Sequence, residues 1–185
     1  MLKKSLYISI VAAMLTAPAV AKHGKGHHGK HNQQSTTSST ITTQEEEGLV
    51  FMVEEEKLAR DVYLTLNEKW HARVFENISK SEQRHMDSVE NLLNKYQIDV
   101  PSTLNDIGHF EDEKLQGLYN DLIAKGEQSY VDALEVGVII EETDITDLEE
   151  LIDGGLSSDT ERVYENLLSG SFNHLSAFNK EISKQ

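Results

Sequence analysis

The chain contains no cysteine, which excludes disulfide bonds, thiol nucleophiles, zinc–thiolate sites and iron–sulfur clusters. Proline and glycine are also scarce, with only 2 and 11 in 185 residues. An all-β chain would need many turns made of these residues, so the sequence favours helices joined by few loops. Basic residues are outnumbered, 17 against 32 acidic ones, and the net charge is −15. This balance excludes the basic face that nucleic-acid binding requires.

Residues 1–21 have the pattern of a secretory signal peptide. Two lysines precede an apolar run from Leu6 to Leu15, and an Ala-Val-Ala sequence ending at Ala21 resembles a cleavage site. The run is too short to span a bilayer as a stable helix, so we expect no stable membrane insertion after cleavage. The sequence therefore predicts a periplasmic or secreted protein, with an uncleaved anchor as the alternative.

Residues 22–43 form a leader that is rich in histidine, then in serine and threonine. Nothing in it can bury apolar surface, so we expect it to be disordered. Neutral imidazoles bind copper, nickel or zinc, which makes the leader either a metal-scavenging tract or a solvated polar segment. Four of the eight histidines of the chain lie here, at His23, His27, His28 and His31.

Residues 44–185 form the predicted folded domain, and they carry all 32 acidic residues. Five of the 17 basic residues precede Gln44, so 12 remain and the domain has a net charge of −20. Apolar residues recur in steps of three and four, which places them on one face of a helix. Four such stripes, each chosen for its best fit, span Leu49–Trp70, Phe75–Tyr96, Val131–Ile152 and Tyr164–Phe178.

Local signals support these helices. Thr42 with Glu45 and Ser158 with Glu161 fit capping boxes, and Gly154-Gly155 ends the third helix. The first two helices meet with almost no loop, which predicts an antiparallel hairpin.

A long connection, residues 97–129, separates this hairpin from the third helix and contains a predicted short helix over Glu113–Lys125. A short-loop hairpin, a long crossover and a second hairpin predict an all-α, ferritin-like four-helix bundle.

Each apolar stripe is interrupted near its middle by polar residues. Buried carboxylates are costly unless they are paired or bind a metal, so four interruptions require a shared partner. Counted from the turn between the first two helices, near Trp70, Glu56 and Glu82 lie 14 and 12 residues away, roughly 21 and 18 Å along their helices. Counted from the turn near Leu156, Glu141 and Ser171 each lie 15 residues away and His174 lies 18 away. The interruptions therefore fall at one level, and they comprise Glu56, Glu82, His85, Glu141, Ser171 and His174.

These residues predict one interior metal centre. Glu82-Gln-Arg-His85 is the Glu-x-x-His arrangement that places two ligands on one helix face, as in carboxylate-bridged di-metal bundles. Taken singly, each acid could be a solvated residue at the stripe edge, and His174 a hydrogen-bonded core histidine. Together at one level, Glu56, Glu82, His85, Glu141 and His174 favour metal ligation. Tyr63 is either core packing or a hydrogen-bond partner of a carboxylate.

Several of these motifs resemble known families. Glu56–Tyr63, Phe75-Glu76 and Glu82–His85 resemble the first hairpin of rubrerythrin-type ferritin-like proteins. The wider pattern is closer to the ferritin-like family called domain of unknown function 2202, DUF2202. That resemblance takes in Glu54–Tyr63, Leu118–Leu148 and Tyr164–Phe178, and covers about Gln44 to Lys180. It implies a ferritin-like bundle that binds metal, and it leaves the activity open.

One position departs from a symmetric di-iron pattern. A second Glu-x-x-His would place a glutamate at position 171, where the chain has Ser171. Either Asp144, one turn after Glu141, supplies a substitute ligand, or the centre is asymmetric or mononuclear.

The leading hypothesis is an exported metal-binding protein with one or two ions in this centre, iron by analogy with the fold and manganese or zinc as alternatives. If redox-active, it would be a di-iron-type oxidoreductase that oxidises ferrous iron or reduces a peroxide, and as a peroxidase it would need an external electron donor. The rival hypothesis is a non-catalytic scaffold whose His-rich leader scavenges metal. The sequence leaves a homo-oligomer open.

Overall fold

The computed structural model describes residues 41–185, and the predicted signal peptide and nearly all of the predicted leader lie outside this range. The described part contains five helices and no strand, which confirms the all-α prediction. No helix in these residues has both the length and the apolarity to cross a membrane. The helices are α1 (Thr43–Trp70), α2 (Arg73–Tyr96), α3 (Glu113–Gly126), α4 (Tyr130–Asp153) and α5 (Ser158–Ile182).

The four long helices form two hairpins. Only His71 and Ala72 separate α1 from α2, and His71 ends α1 in the left-handed conformation with φ 48°. Gly154 and Gly155 follow α4, and Gly155 has φ 81°, a value that glycine adopts without strain. Three sequence predictions are confirmed: the near absence of a loop between α1 and α2, the short helix α3, and the end of α4 at Gly154-Gly155.

The first capping prediction holds in part, and the second is wrong by one residue. The Thr42 hydroxyl oxygen accepts from the Glu45 N–H at 3.1 Å. The Glu45 carboxylate instead accepts from the Ser157 N–H at 3.1 Å and from its hydroxyl at 2.6 Å. Ser157 rather than Ser158 is the N-cap of α5, and its side chain makes no capping hydrogen bond because its hydroxyl group donates to Glu45.

The third predicted stripe needs a correction on α4. Leu134, Glu141, Ile145 and Leu148 of this stripe are buried, but Val131 at its start is 38% exposed. The buried face of α4 instead includes Gly137, where a Cβ atom would lie 2.5 Å from the ring of Phe178. A stripe fitted to apolar residues skips a glycine, so it leaves Gly137 out of the buried face.

A buried ion cluster fixes the connection between α2 and α3 against α1. Lys57 Nζ lies 2.5 Å from Asp61 Oδ2, and Arg60 Nε donates to Asp61 Oδ1 at 2.8 Å. Gly108 N–H also donates to Asp61, at 2.9 Å.

The two cations of this cluster also donate to backbone carbonyls of the connection. Lys57 donates to those of Asp106 and His109, and Arg60 donates to that of Leu104. Sequence reasoning missed this cluster, because an i,i+4 lysine–aspartate pair is usually exposed.

We expect Asp61→Asn to lower the free energy of unfolding by roughly 3–5 kcal/mol, because it leaves two buried cations without their counter-ion. Urea unfolding at neutral pH measures the change. The control is Glu76→Gln, which removes the exposed Lys80–Glu76 pair at 2.7 Å and should leave stability almost unchanged. An equally small effect of both substitutions would contradict a stabilising role for the cluster.

Candidate metal centre

A layer of polar side chains crosses the interior between two apolar clusters. One cluster contains Tyr63, Phe75 and Phe178 and the other contains Met52 and Tyr164, with members from α1, α2, α4 and α5 in each. Along each long helix, the polar residues separate the members of one apolar cluster from the members of the other. The layer consists of Glu56 from α1, Glu82 and His85 from α2, Glu141 and Asp144 from α4, and Ser171 and His174 from α5.

Glu82 lies at the middle of this layer. Its Oε2 atom is 2.9 Å from Nδ1 of His85, and its Oε1 atom is 2.8 Å from Nδ1 of His174. Glu56 Oε2 is 3.3 Å from the same nitrogen of His85, and Glu141 Oε2 is 3.4 Å from that of His174. The arrangement therefore has two halves, each with one outer glutamate and one histidine, that share a central carboxylate.

Each half can hold one cation. Glu56, Glu82 and His85 offer ligand atoms that all lie within 4.8 Å of one another, and so do Glu82, Glu141 and His174. The two imidazole rings are stacked, with centroids 5.5 Å apart. Because Glu82 belongs to both groups, the geometry suits two adjacent cations joined by one carboxylate.

The hydrogen bonding of the layer fits a metal ligand set. Several buried atoms have no hydrogen-bond partner of acceptable geometry, although imidazole nitrogens and carboxylate oxygens lie close together. Buried polar atoms normally have a partner, and such exceptions point to a missing cation or water. These atoms are Glu56 Oε1, Glu82 Oε1, Asp144 Oδ1, His85 Nδ1 and His174 Nδ1.

Two neighbouring hydroxyl groups orient the carboxylates of α4. The Tyr63 hydroxyl donates to Glu141 Oε1 at 2.6 Å, and the fully buried ring packs against Phe178. Ser171 donates to Asp144 Oδ2, which leaves the other oxygen of Asp144 available. Ser171 occupies the position where a symmetric di-iron pattern has glutamate, and it contacts Asp144, the residue that the sequence analysis names as a possible substitute ligand.

Burial and close charges shift the pKa values of the layer in opposite directions. Burial alone would raise the pKa of Glu82, but His174 and His85 outweigh it and lower the pKa to about 2. Burial and the negative charge of Glu82 raise the pKa of Glu141 to about 7. Burial and the charge of Glu141 raise the pKa of Asp144 to about 8. Without a cation, Asp144 therefore holds its proton at neutral pH and Glu141 is partly protonated, and a bound cation would displace these protons.

Gly170 makes room for His85. A Cβ atom at position 170 would lie 2.5 Å from Cε1 and 2.6 Å from Nε2 of the His85 ring. Glycine inside a helix costs stability relative to alanine, so its presence in α5 indicates a close approach. The next contact, with Cε1 of His174, is longer at 3.8 Å, so Gly170 mainly accommodates the histidine of α2.

The structure brings all five predicted ligands together. Glu56, Glu82, Glu141 and His174 are buried, and His85 has a 13% exposed side chain. Tyr63, Asp144 and Ser171 border them, while Asp144 belongs to neither of the two three-residue groups. That these residues bind metal stays a prediction.

Comparison with known proteins identifies a family for residues 45–185. This range matches the model of the uncharacterized protein domain DUF2202. Uncharacterized protein MJ0754 of Methanocaldococcus jannaschii is 53% identical over 131 residues, which is 71% of each chain.

Two solved structures resemble the chain. The crystal structure of hypothetical protein MJ0754 from Methanococcus jannaschii has a TM-score of 0.77 and 49% identity, over 82% of this chain and 86% of that one. The crystal structure of a DUF305 fragment from Deinococcus radiodurans has a TM-score of 0.59 over 78% of this chain and 99% of that one. At 15% identity, the second shows a shared fold alone.

We expect Gly170→Ala to displace the His85 ring and to lower the free energy of unfolding by about 1–3 kcal/mol, because the new methyl group overlaps the ring. Urea unfolding and the NMR resonances of the His85 imidazole measure the two effects. The control is Gly117→Ala, since a Cβ atom there has no neighbour within 4 Å. Unchanged His85 resonances in Gly170→Ala would contradict the assigned role.

We expect the stability gain from Asp144→Asn in the metal-free protein to increase with pH. The native state holds a proton on Asp144 up to about pH 8, whereas the unfolded chain releases it near 3.8, so stability falls across that window. Asparagine stays neutral and avoids the loss. The charged groups facing Asp144 are Glu55, Glu56, Glu82, His85 and Glu141.

Urea unfolding with a chelator, at about pH 5 and about pH 8, measures this difference. Asp153→Asn at the exposed end of α4 is the control. A gain from Asp144→Asn that is the same at both pH values would contradict the prediction.

Proposed function

This chain belongs to the DUF2202 family, and we propose that it is a metal-binding protein with a centre for two divalent cations. In this proposal the four long helices form a ferritin-like four-helix bundle, and α3 lies in its long crossover. Support comes from the two hairpins, the long connection and the polar layer that all four helices supply.

The observation that carries the proposal is the position of Glu82. Each of its two oxygens lies within 3 Å of the Nδ1 atom of a different histidine, at 2.9 Å for His85 and 2.8 Å for His174. A buried carboxylate that served only one ion pair would direct its oxygens at one partner. One that bridges two cations directs an oxygen at each half of the site, as Glu82 does.

The charge of the layer supports the same number of cations. Glu56, Glu82, Glu141 and Asp144 carry four negative charges when ionised, which two divalent cations would balance. Lys57 and Arg60, the nearby buried cations, are already paired with Asp61. Four ionised carboxylates with no counter-charge would be strongly unfavourable in this interior.

The residues of the chain have separate roles in this proposal. Glu82 bridges, the outer glutamates and the two histidines complete the halves, and Tyr63 holds Glu141 through its hydroxyl group. Ser171 holds Asp144 in the same way. The apolar clusters on both sides of the layer exclude water and limit the paths by which ligands reach the centre.

We propose iron as the native metal. Carboxylate oxygens and imidazole nitrogens without thiolates suit ferrous iron, manganese or zinc, and the ferritin-like layout favours iron among them. Bound iron would supply redox chemistry, which makes the oxidation of ferrous iron or the reduction of a peroxide the proposed activity. We further propose export to the periplasm or beyond, on the signal-peptide pattern of residues 1–21.

Anaerobic titration with ferrous iron or Mn²⁺ tests the proposal in the full chain. To separate the centre from the leader, His23, His27, His28 and His31 are first replaced by asparagine. We expect this leader variant to bind about two cations per chain, and Glu82→Gln added to it to abolish both, because the shared carboxylate serves both halves. Elemental analysis and equilibrium dialysis give the stoichiometry.

The matched control is Glu149→Gln, which removes one negative charge from an exposed position of α4 and should leave binding unchanged. Loss of all binding in the leader variant would contradict the proposed centre and favour the metal-scavenging leader. Unchanged binding in Glu82→Gln would also contradict it, since no other carboxylate in residues 41–185 contacts both histidines.

A further inference from the structure

A series of aromatic rings runs from the polar layer to the end of the molecule where α1 meets α2. Between ring centroids, Tyr63 lies 5.2 Å from Phe178 and 6.2 Å from Phe75. Phe75 lies 6.5 Å from Tyr130, and Tyr130 lies 5.9 Å from Trp70. These are the separations of packed aromatic pairs, so Tyr63, Phe75, Tyr130 and Trp70 form one continuous aromatic path.

The two ends of the aromatic path differ in environment. At the inner end, Tyr63 is fully buried, and its hydroxyl group donates to Glu141 Oε1 at 2.6 Å. At the outer end, Trp70 is the last residue of α1 and Tyr130 is the first residue of α4, and both are half-buried. The path therefore connects a carboxylate of the layer with the surface of the protein.

Three of the four rings can lose and regain an electron. Phenol and indole side chains are oxidised by one electron far more readily than a phenyl ring, so Tyr63, Tyr130 and Trp70 are the redox-active members. Phe75 packs between two of them. Because electron transfer slows steeply with distance, redox-active rings at intermediate positions divide one long transfer into shorter and faster steps.

We propose that the aromatic path carries electrons from the surface at Trp70 to the centre. The proposal rests on the peroxide-reducing form of the proposed function, because that reaction consumes electrons. The chain has no cysteine, and therefore no iron–sulfur cluster or dithiol of its own to supply them. An external one-electron reductant can react at the half-buried indole ring without entering the buried layer.

Two passages along the path balance the reduction of one hydrogen peroxide molecule. The peroxide takes up two electrons and two protons from water, its O–O bond breaks, and two water molecules form. For each electron, the Tyr63 phenol releases one electron and passes its proton to Glu141 across their hydrogen bond. An electron from Trp70, by way of Tyr130, then restores Tyr63 while the proton returns. The external reductant restores Trp70.

The first test needs no metal and uses the metal-free, full-length leader variant. A ruthenium(III) tris-bipyridine complex, generated by a light flash, oxidises accessible aromatic rings. We expect a tyrosyl radical on Tyr63 to form as the radical of Trp70, the single tryptophan of the chain, decays. Tyr63→Phe should remove this tyrosyl signal, and Trp70→Phe should prevent it from forming. Transient absorption and EPR of rapidly frozen samples distinguish the two radicals.

The second test uses the iron-loaded leader variant and hydrogen peroxide without a reductant. Trp70 itself then supplies the electrons, so we expect covalent oxidation of its indole ring, measured by mass spectrometry of the peptide that contains it. Tyr63→Phe should abolish this oxidation, because it removes the step between Trp70 and the layer. Added ascorbate, a one-electron reductant, should protect Trp70 in the unsubstituted path.

Tyr164→Phe is the matched control for Tyr63→Phe. Tyr164 is also fully buried, but it belongs to the apolar cluster on the other side of the layer. This substitution should change neither the radical nor the oxidation of Trp70. If Tyr63→Phe matches the control in both tests, the electron path is refuted. If Tyr63→Phe is too unstable to purify, Tyr130→Phe replaces it, and an unchanged rate of Tyr63 radical formation refutes the path.

The two tests separate the electron path from the proposed function. If the leader variant binds no metal, the proposed function fails, and the role in peroxide reduction fails with it. If the leader variant binds metal and no Tyr63 radical forms in the metal-free protein, only the electron path is refuted. Radical transfer in the first test together with Tyr63-dependent oxidation of Trp70 in the second supports it.

Discussion

Buried carboxylates need positive charge close by, and this requirement organises the interior of the protein. Asp61 meets it within the chain, because Lys57 and Arg60 contact it directly and also bind the carbonyls of the α2–α3 connection. The polar layer around Glu82 has only two histidines for four acids, and several of its atoms lack partners. One cluster is thus complete as folded, whereas the other requires protons or cations from solution.

The sequence was sufficient to predict the helices and the level of the site. Helical period, loop length and the glycine stop are local signals, and they gave the all-α fold and the short α1–α2 link. The residues of the layer are revealed by interruptions of that helical pattern, because Glu82 and His174 are polar residues within an apolar stripe. A violation of the core pattern was therefore more informative about the site than the pattern itself.

What the sequence could not supply depends on contacts between distant segments. Gly137 lies on the buried face of α4 because the ring of Phe178 packs over it, and no local signal on α4 reveals that ring. The side chain of Ser157 makes no capping hydrogen bond because its hydroxyl group donates to Glu45, 112 residues earlier. Lys57 has the spacing of an exposed ion pair and becomes buried only when residues 104–109 fold over it.

A carboxylate shared between two halves makes them interdependent. Under the proposed function, the first ion would fix the rotamer of Glu82 and so lower the entropic cost of ordering it for the second. Repulsion between the ions acts against this gain. The balance sets a coupling free energy that is the same whichever half fills first. Occupancy would then follow a cooperative isotherm, positive or negative in sign, rather than that of two independent sites.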